Sequence, residues 1–350
     1  MCPNGQTQKP DVCIIGLGGM ATLLAVVLAN GGISTRCMHP ARDFGQLRLR
    51  LIGSAYAGCV SVLCRTPDFF SGLPRPDLVI VACKWRDVPA AFEISQKIWK
   101  GDLPPILMPQ NGIVQDEVGV LEGLTIFPLV SYVSVESLGI GVARASAFTS
   151  LLTTRSLLSR LVPGAERLLG CGVLRLLPSD ELTVEQFSKL VLASTGAVMA
   201  LRNVTIGEAL LSGVRHEMAA VAHESSAVVD ACLCDRKVGP LVARKVRDLV
   251  AALSTGKVPS CKQHSLLSAR TSLHMDLVRG QKSEVEQING WVVRTAKALG
   301  IRAPLNEMIL REIQSLERTH VRPEIAGSSV QIQSRISTTF EQFRKGVPCE

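Results

Sequence analysis

The first part of the chain alternates short apolar runs with helical stretches. Residues 11–15 form an apolar run closed by Gly16, a pattern typical of a buried parallel strand. Residues 20–30 have helical periodicity, and the pair Gly31-Gly32 predicts the end of that helix. The same rhythm predicts strands at 35–39, 60–63, 78–83 and 105–109, a helix at about 87–99, and extra strands within 125–153. This alternation predicts an α/β domain with a Rossmann-type, doubly wound sheet.

The pattern changes at about residue 179 to long helical periodicity with few strand signals. Helices are predicted at 183–201, 212–230, 240–254, 266–279, 284–299 and 306–318. We therefore predict a Rossmann-like domain over 11–178 and an all-α domain over 179–325. Residues 326–350, rich in Ser and Gln, are predicted to form a loosely packed tail.

Composition narrows the class of protein. The 350 residues are enough for about two domains, and a hydrophobic content of 47% excludes disorder over the whole chain. No run approaches the roughly 20 apolar residues of a membrane-spanning helix, so we predict a soluble chain without a membrane partner. The eleven cysteines include no Cys-x-x-Cys pair, and residues 1–10 lack the apolar stretch of a signal peptide. We expect reduced thiols, no metal site and a cytoplasmic location.

The net charge of +8 raises the question of an anionic partner. The basic residues are scattered, and the densest cluster, within 236–247, has helical spacing and no interleaved aromatic residues. This pattern does not favour nucleic acid, and an anionic small ligand fits it better.

A glycine-rich turn follows the first predicted strand and opens the first helix. It fits the dinucleotide-binding pattern G-x-G-x-x-G/A and reads Gly16-Leu17-Gly18-Gly19-Met20-Ala21. In this pattern the first glycine permits the tight turn, the second lets the backbone approach a pyrophosphate, and the small third residue packs the helix on the strand. The helix N-terminus then offers N–H groups to phosphate. We predict dinucleotide binding; the alternative is a glycine-rich turn with no ligand.

The end of the second predicted strand bears on the choice of cofactor. NAD sites usually carry an acidic residue there for the ribose hydroxyls. Here the chain reads Cys37-Met38-His39-Pro40-Ala41-Arg42, with no carboxylate before Asp43. We therefore predict NADP(H), with Arg42 binding the 2′-phosphate. The alternative is that Arg42 is a solvated loop residue.

Two further strand ends carry polar side chains. Lys84 follows one predicted strand and Asn111 follows the next, within Gln110-Asn111-Gly112. Because ligands bind beyond the carboxyl ends of parallel strands, Lys84 is expected to contact the cofactor. Asn111 is expected to contact the nicotinamide ribose or the substrate. By composition alone, Lys84 would be a surface residue and Asn-Gly a simple turn.

Several motifs occur in the order seen in one enzyme family. They are the glycine turn, Val81-Ala82-Cys83-Lys84, Gln110-Asn111-Gly112, Phe187-Ser188-Lys189-Leu190 and Ser283-Glu284-Val285-Glu286-Gln287-Ile288-Asn289-Gly290. Over about residues 11–318 the chain resembles the ketopantoate reductases (2-dehydropantoate 2-reductases) of the ApbA/PanE family. The resemblance implies NADPH-dependent reduction of ketopantoate to pantoate, in a cleft between a Rossmann domain and a helical domain. It also allows a homodimer, about which the sequence itself is silent.

The resemblance implies roles for individual residues. Lys189 matches the general acid toward the keto oxygen, and Glu284 matches the carboxylate that holds the substrate hydroxyl. Ser272 matches a hydroxyl that binds the substrate carboxylate, and Asn203 is a further amide expected near the substrate. Since hydride transfer builds negative charge on the carbonyl oxygen, an ammonium within hydrogen-bond reach both stabilises and protonates it. The expected substrate is a small anionic keto acid.

Structural interpretations of the same residues stand beside these roles. Lys189 could extend from the edge of an apolar helix, and Ser283 with Glu286 forms a capping-box pattern. Ser272 could be a neutral residue of a helix surface.

The sequence also departs from the family, which often has Asn where this chain has Ala193, Ala197 and Ala269. Losing amides predicts a more apolar pocket and a changed substrate. The alternatives are therefore a paralogue that reduces another, more apolar carbonyl compound, or a catalytically lapsed NADP(H)-binding sensor.

Overall fold

The computed structural model describes residues 11–53, 57–100, 102–118, 125–160, 174–255, 267–320 and 330–345. The chain divides into two units. The first unit comprises residues 1–110 and 114–182, and the second comprises residues 111–113 and 183–350.

The first unit is an α/β domain around a mixed sheet. Its strands are β1 (Asp11–Ile15), β2 (Ser34–Met38), β3 (Gly45–Ile52), β4 (Gly58–Arg65), β5 (Leu78–Val81), β6 (Ile106–Met108), β7 (Ile126–Pro128), β8 (Val130–Gly139), β9 (Val142–Thr154) and β10 (Leu174–Leu177). Its α-helices are α1 (Gly19–Asn30), α2 (Pro67–Phe70), α3 (Val88–Ile98) and α4 (Val114–Val118), with short 3₁₀ helices at Trp85–Asp87 and Arg155–Arg160. The strand order is β10-β9-β3-β4-β2-β1-β5-β6-β7, and β8 pairs with β9.

The central strand β1 is buried on both faces of the sheet, because helices cover each face. It pairs in parallel with β2 and β5. Val12 and Ile14 pack into the apolar cluster that contains α1, whereas Cys13 and Ile15 pack into the cluster that contains α3. A strand buried on both faces reads as a continuous apolar run, as in residues 11–15. The predicted Rossmann-like fold is therefore confirmed.

Strand β3 is one element that the sequence prediction missed. It pairs antiparallel with β4 and parallel with β9. Its side chains alternate between exposed arginines, Arg48 and Arg50, and buried leucines, Leu49 and Leu51. This alternation is the signal of a half-buried strand, which differs from the fully apolar runs elsewhere in the sheet.

The second unit is helical. Its helices are α5 (Ser179–Ser194), which begins in the first unit, α6 (Gly196–Leu201), α7 (Ile206–Leu211), α8 (Val214–Cys232), α9 (Gly239–Thr255), α10 (Ser272–Val278), α11 (Val285–Ala298), α12 (Pro304–Thr319) and α13 (Val330–Arg344). The division between the units falls after Leu182, because Leu182 packs with Val130, Leu152 and Leu177 of the first unit. Among the described residues, no helix is long and apolar enough to cross a membrane.

The prediction of a single helix over 183–201 is wrong, because the helix is interrupted at Thr195, between α5 and α6. The Ser194 hydroxyl donates to the Val191 carbonyl at 2.8 Å, and the Thr195 hydroxyl donates to the Leu192 carbonyl at 2.7 Å. Such hydroxyls compete with the helical hydrogen bonds of the backbone. The Ser194 carbonyl accepts instead from Nδ2 of Asn289, at 3.2 Å.

A buried polar network connects four helices of this unit. The Glu224 carboxylate accepts from the backbone N–H groups of Leu305 at 3.0 Å and Asn306 at 2.8 Å, so it caps the first turn of α12. Oδ1 of Asn306 accepts from Nδ2 of Asn289 at 2.9 Å. Burial raises the pKa of Glu224. The network fixes α8, α11 and α12 to one another and to the end of α5.

The prediction of a loosely packed tail over 326–350 is also wrong for residues 330–345, and the rest of that segment lies outside the described residues. Within it, Val330–Arg344 forms helix α13. Ile336 and Phe340 are only 1% and 3% exposed and belong to the main apolar core, against which Ile332 also packs. Apolar residues spaced four apart form one face of a helix, and this pattern lay within a segment of mostly polar composition.

We expect Ile336→Ala to lower the free energy of unfolding by about 2–4 kcal/mol, because it removes a fully buried side chain. Val330→Ala is the matched control, since Val330 is 81% exposed on the same helix. Urea denaturation of both variants measures the difference. Equal stability of the two variants would show that α13 does not contribute to the core.

Candidate functional site

The glycine turn of the first unit has the geometry of a phosphate-binding loop. Gly16 has a φ of +116°, and its N–H donates to the Met38 carbonyl at 3.0 Å. A Cβ at Gly16 would lie 2.9 Å from the Ala82 carbonyl oxygen. Both observations require glycine at this position, as the sequence pattern predicts.

Gly18 and the start of α1 leave the next part of the loop open. A Cβ at Gly18 would have no atom within 4 Å, and α1 has neither a side-chain cap nor an acidic residue in its first turn. The N–H groups of that turn and the positive end of the helix dipole suit an anion. Ala21 is fully buried, and Leu17 and Met20 pack against the core, so this loop presents backbone to a ligand. The residues present fit a pyrophosphate.

The end of β2 is a compact turn with several charged groups. Nδ1 of His39 accepts from the N–H groups of Ala41 at 3.2 Å and Arg42 at 3.0 Å. Arg42 is exposed, as both interpretations of it allow. The Asp43 carboxylate pairs with Arg65 at 3.0 Å, and this hydrogen bond lowers the pKa of Asp43. Sequence reasoning missed Arg65, the last residue of β4.

Lys84 and Gln110 follow β5 and β6. Lys84 is partly buried directly before a 3₁₀ helix. Nε2 of the buried Gln110 donates to the carbonyls of Val81 at 2.7 Å and Cys83 at 2.8 Å. Gln110 therefore fixes the turn that carries Lys84, a role that the sequence prediction did not assign.

Asn111 belongs to the second unit. Its Nδ2 donates to Oε2 of Glu284 at 2.9 Å, across 173 positions of sequence. The adjacent Gly112 has a φ of +102°, and a Cβ there would lie 2.7 Å from the Gln287 carbonyl oxygen. Asn111 and Gly112 therefore lie directly against the start of α11, and Asn-Gly is more than a simple turn.

Glu284 is 7% exposed and occupies the N-cap position of α11. The predicted capping box between Ser283 and Glu286 is wrong. The Ser283 hydroxyl donates to the Glu317 carboxylate at 2.6 Å, and Glu286 accepts from the Gln314 amide. Glu317 of α12 thus fixes the residue that precedes Glu284.

Lys189 lies on α5 and is partly buried. Burial lowers the pKa of Lys189 to about 8, and the nearby Glu284 carboxylate opposes that shift. Desolvation on this scale argues against an ammonium group that simply reaches bulk water. The structure therefore brings Lys189, Glu284 and Asn111 together in the second unit.

Asn203 and Ser272 have local surroundings of their own. Asn203 has a φ of +53° and ends α6, where its N–H donates to the Ala200 carbonyl at 3.1 Å. Its Oδ1 accepts from Arg270 at 2.7 Å. Ser272 is the exposed first residue of α10, which Thr271 caps. Their roles as substrate ligands stay predictions.

The three alanines where the family often has Asn are not equivalent. Ala197 is fully buried in the core, so an amide there would have no access to a ligand. Ala193 and Ala269 are only partly buried. The expected loss of polar contacts therefore rests on Ala193 and Ala269.

Comparison with known proteins agrees with this architecture. Residues 181–317 match the family model "Ketopantoate reductase PanE/ApbA C terminal", which confirms the resemblance over that region. No curated protein sequence matches the chain.

Among solved structures, the ketopantoate reductase of Staphylococcus aureus, described as dimeric, has a TM-score of 0.68 at 17% identity. A PanE/ApbA family ketopantoate reductase from Ralstonia eutropha JMP134 has a TM-score of 0.69 at 23% identity. A D-mandelate dehydrogenase in complex with NADH and anilino(oxo)acetate has a TM-score of 0.68 at 16% identity. Each match covers 89% of this chain and 99% of the other, so the fold is shared along nearly the whole chain.

We expect Gly18→Ala to keep the fold but to weaken dinucleotide binding at least about tenfold, because the added methyl group would occupy the open side of the loop. Thermal unfolding checks the fold, and NADPH fluorescence measures the binding. Unchanged NADPH affinity in this variant would favour a glycine-rich turn with no ligand.

Proposed function

We propose that this protein is an NADPH-dependent reductase of small 2-keto acids, with ketopantoate as the first candidate substrate. The observation that carries the proposal is the partly buried ammonium of Lys189 beside Glu284, whose carboxylate Asn111 holds at 2.9 Å. The family-model match over residues 181–317 includes both Lys189 and Glu284. The D-mandelate dehydrogenase of the same fold is bound to NADH and an oxoacetate, which supports a nicotinamide cofactor and a 2-oxo acid as substrate class.

The cofactor would be held by the first unit. The N–H groups at the start of α1 would bind the pyrophosphate, with Gly16 and Gly18 giving the backbone its close approach. Lys84 would bind cofactor phosphate or ribose, and Arg42 the 2′-phosphate. When bound, a reduced nicotinamide supplies the hydride that reduces a carbonyl carbon.

Lys189 would then supply the proton. Its pKa of about 8 leaves the ammonium largely protonated at pH 7, yet makes it a better proton donor than an ordinary lysine. Nζ would donate to the carbonyl oxygen as negative charge develops there, and the positive charge would also attract an anionic substrate. Glu284 favours the charged form of Lys189, and Asn111 fixes the Glu284 carboxylate.

Two alternatives remain, and each has a supporting observation. Ala193 and Ala269 favour a paralogue that reduces a more apolar carbonyl compound, because they remove amides that would pair with polar substrate groups. They equally favour a catalytically lapsed NADP(H)-binding sensor. An NADPH-consumption assay on ketopantoate and a panel of more apolar 2-keto acids separates them. Turnover of ketopantoate supports the proposal, preference for an apolar acid supports the paralogue, and tight NADPH binding without turnover supports the sensor.

We expect Lys189→Met to lower kcat at least about 100-fold, because the general acid is lost, while NADPH affinity stays unchanged. Lys245→Met is the matched control, since Lys245 lies on α9 and forms a surface ion pair with Glu185 of α5, the helix that carries Lys189. Steady-state kinetics on the preferred substrate measures the effect. Turnover within a few-fold of wild type would remove Lys189 as the acid.

The reduction rate of the wild type should fall as pH rises through about 8, because Lys189 then loses its proton. In Glu284→Gln this fall should move to lower pH, since the carboxylate that raises the pKa of Lys189 is gone. Glu286→Gln, on the first turn of α11, should leave the profile in place. A shift to higher pH in Glu284→Gln would contradict the assignment.

A further inference from the structure

Arg65 occupies a position that sequence patterns did not single out. In the parallel pairing of β2 with β4, Arg65 is the register partner of Met38. The His39 N–H donates to the Arg65 carbonyl at 3.0 Å, and the Gly16 N–H donates to the Met38 carbonyl at 3.0 Å. Arg65 therefore lies at the carboxyl edge of the sheet, next to the end of β2 and close to the glycine loop.

Contacts with Asp43 and Phe69 orient the Arg65 guanidinium but leave some of its hydrogen-bond donors unused. Nη1 donates to both Asp43 oxygens, at 3.1 and 3.0 Å, and the guanidinium carbon lies 4.8 Å from the centre of the Phe69 ring. The Nε group is buried, but the side chain as a whole is 35% exposed and both hydrogen bonds to Asp43 use only Nη1. A planar guanidinium offers five donors, so this one can pair with Asp43 and still bind another acceptor.

The same ion pair changes the role available to Asp43. Asp43 is the first carboxylate after β2, and NAD sites use an acid in this region to accept from the ribose hydroxyls. Here the Asp43 carboxylate accepts from Arg65 and from the Gly45 N–H at 2.9 Å. Both Asp43 oxygens therefore already accept hydrogen bonds from the protein. The positive charge of Arg65 also offsets the negative charge of Asp43, which follows Arg42 in sequence.

We infer that Arg65 is a second cation for the 2′-phosphate beside Arg42, and that its ion pair with Asp43 determines the preference for NADPH over NADH. This inference rests on the proposed dinucleotide site. Removing Arg65 loses a phosphate donor and also exposes the phosphate to an uncompensated carboxylate. Removing the charge of Asp43 instead leaves two free arginines. Removing Arg65 should therefore weaken NADPH binding, whereas removing the charge of Asp43 should not, and a purely structural ion pair would not produce this difference.

The test measures dissociation constants of NADPH and NADH for the full-length chain by ligand fluorescence. In Arg65→Gln, we expect NADPH to bind at least about tenfold more weakly, as for a lost charge-assisted contact, with NADH changed less than about twofold. In Asp43→Asn, NADPH should bind as tightly as in wild type or more tightly. Arg48→Gln is the charge-matched control on an exposed arginine of β3 and should change neither constant.

Three results would overturn the inference while leaving a nicotinamide-dependent reductase in place. They are equal losses of NADPH and NADH affinity in Arg65→Gln, a loss of NADPH affinity in Asp43→Asn, or an equal effect of Arg48→Gln. Thermal unfolding of each variant shows whether an equal loss of NADPH and NADH affinity comes from misfolding. If Arg65→Gln is misfolded, Arg65→Lys, which keeps the positive charge, tests the inference instead and must retain the preference for NADPH. A wild-type chain that binds neither dinucleotide would instead overturn the proposed function itself.

Discussion

The desolvated ammonium of Lys189 is the constraint on which the candidate site depends. A lysine removed from water resists protonation, and burial alone would favour the neutral amine. The Glu284 carboxylate offsets part of this cost, and the Asn111 amide fixes that carboxylate from a distant part of the sequence. The result is a lysine with a pKa of about 8, which is suited to proton donation near neutral pH. Lys189 and Glu284 form one chemical unit rather than two independent charges.

The buried polar network explains how such a pair can be held in place. Lys189 and Glu284 lie on different elements, at a middle turn of α5 and at the cap of α11. Five residues further along each of them are Ser194 and Asn289, which bond to each other at 3.2 Å. Asn289 is in turn tied through Asn306 to the Glu224 carboxylate. Because polar groups in an apolar core tolerate little displacement, this junction sets the register between the two helices that carry the pair.

Local sequence signals predicted much of this structure. Residues close together in sequence specify the glycine turn, the apolar runs of β1 and β5, and the helical periodicity after residue 179. The structure has these elements close to where the sequence predicts them. Asn111, Lys189 and Glu284 were predicted as site residues, and the structure brings these three together. The family resemblance, rather than periodicity, pointed to Lys189 and Glu284.

What sequence reasoning missed depends on distant contacts. Asn289 stabilises the interruption of the helix after Ser194. Glu317 binds the Ser283 hydroxyl, so the capping box does not form. Helix α13 is held in place because Ile336 and Phe340 are buried in the core. Arg65 was missed because its significance comes from strand pairing, which places it beside the end of β2. In each case the decisive partner lies tens of residues away, where no local pattern can indicate it.

The pKa of Lys189 can be measured directly by following the titration of its own side chain. Lysine side chains labelled with ¹³C at Cε can be followed by NMR as pH rises, with Lys189→Met identifying the resonance. We predict one lysine that titrates near 8, well below the ordinary lysine value of about 10.4. A Lys189 resonance that titrates with the surface lysines would contradict it.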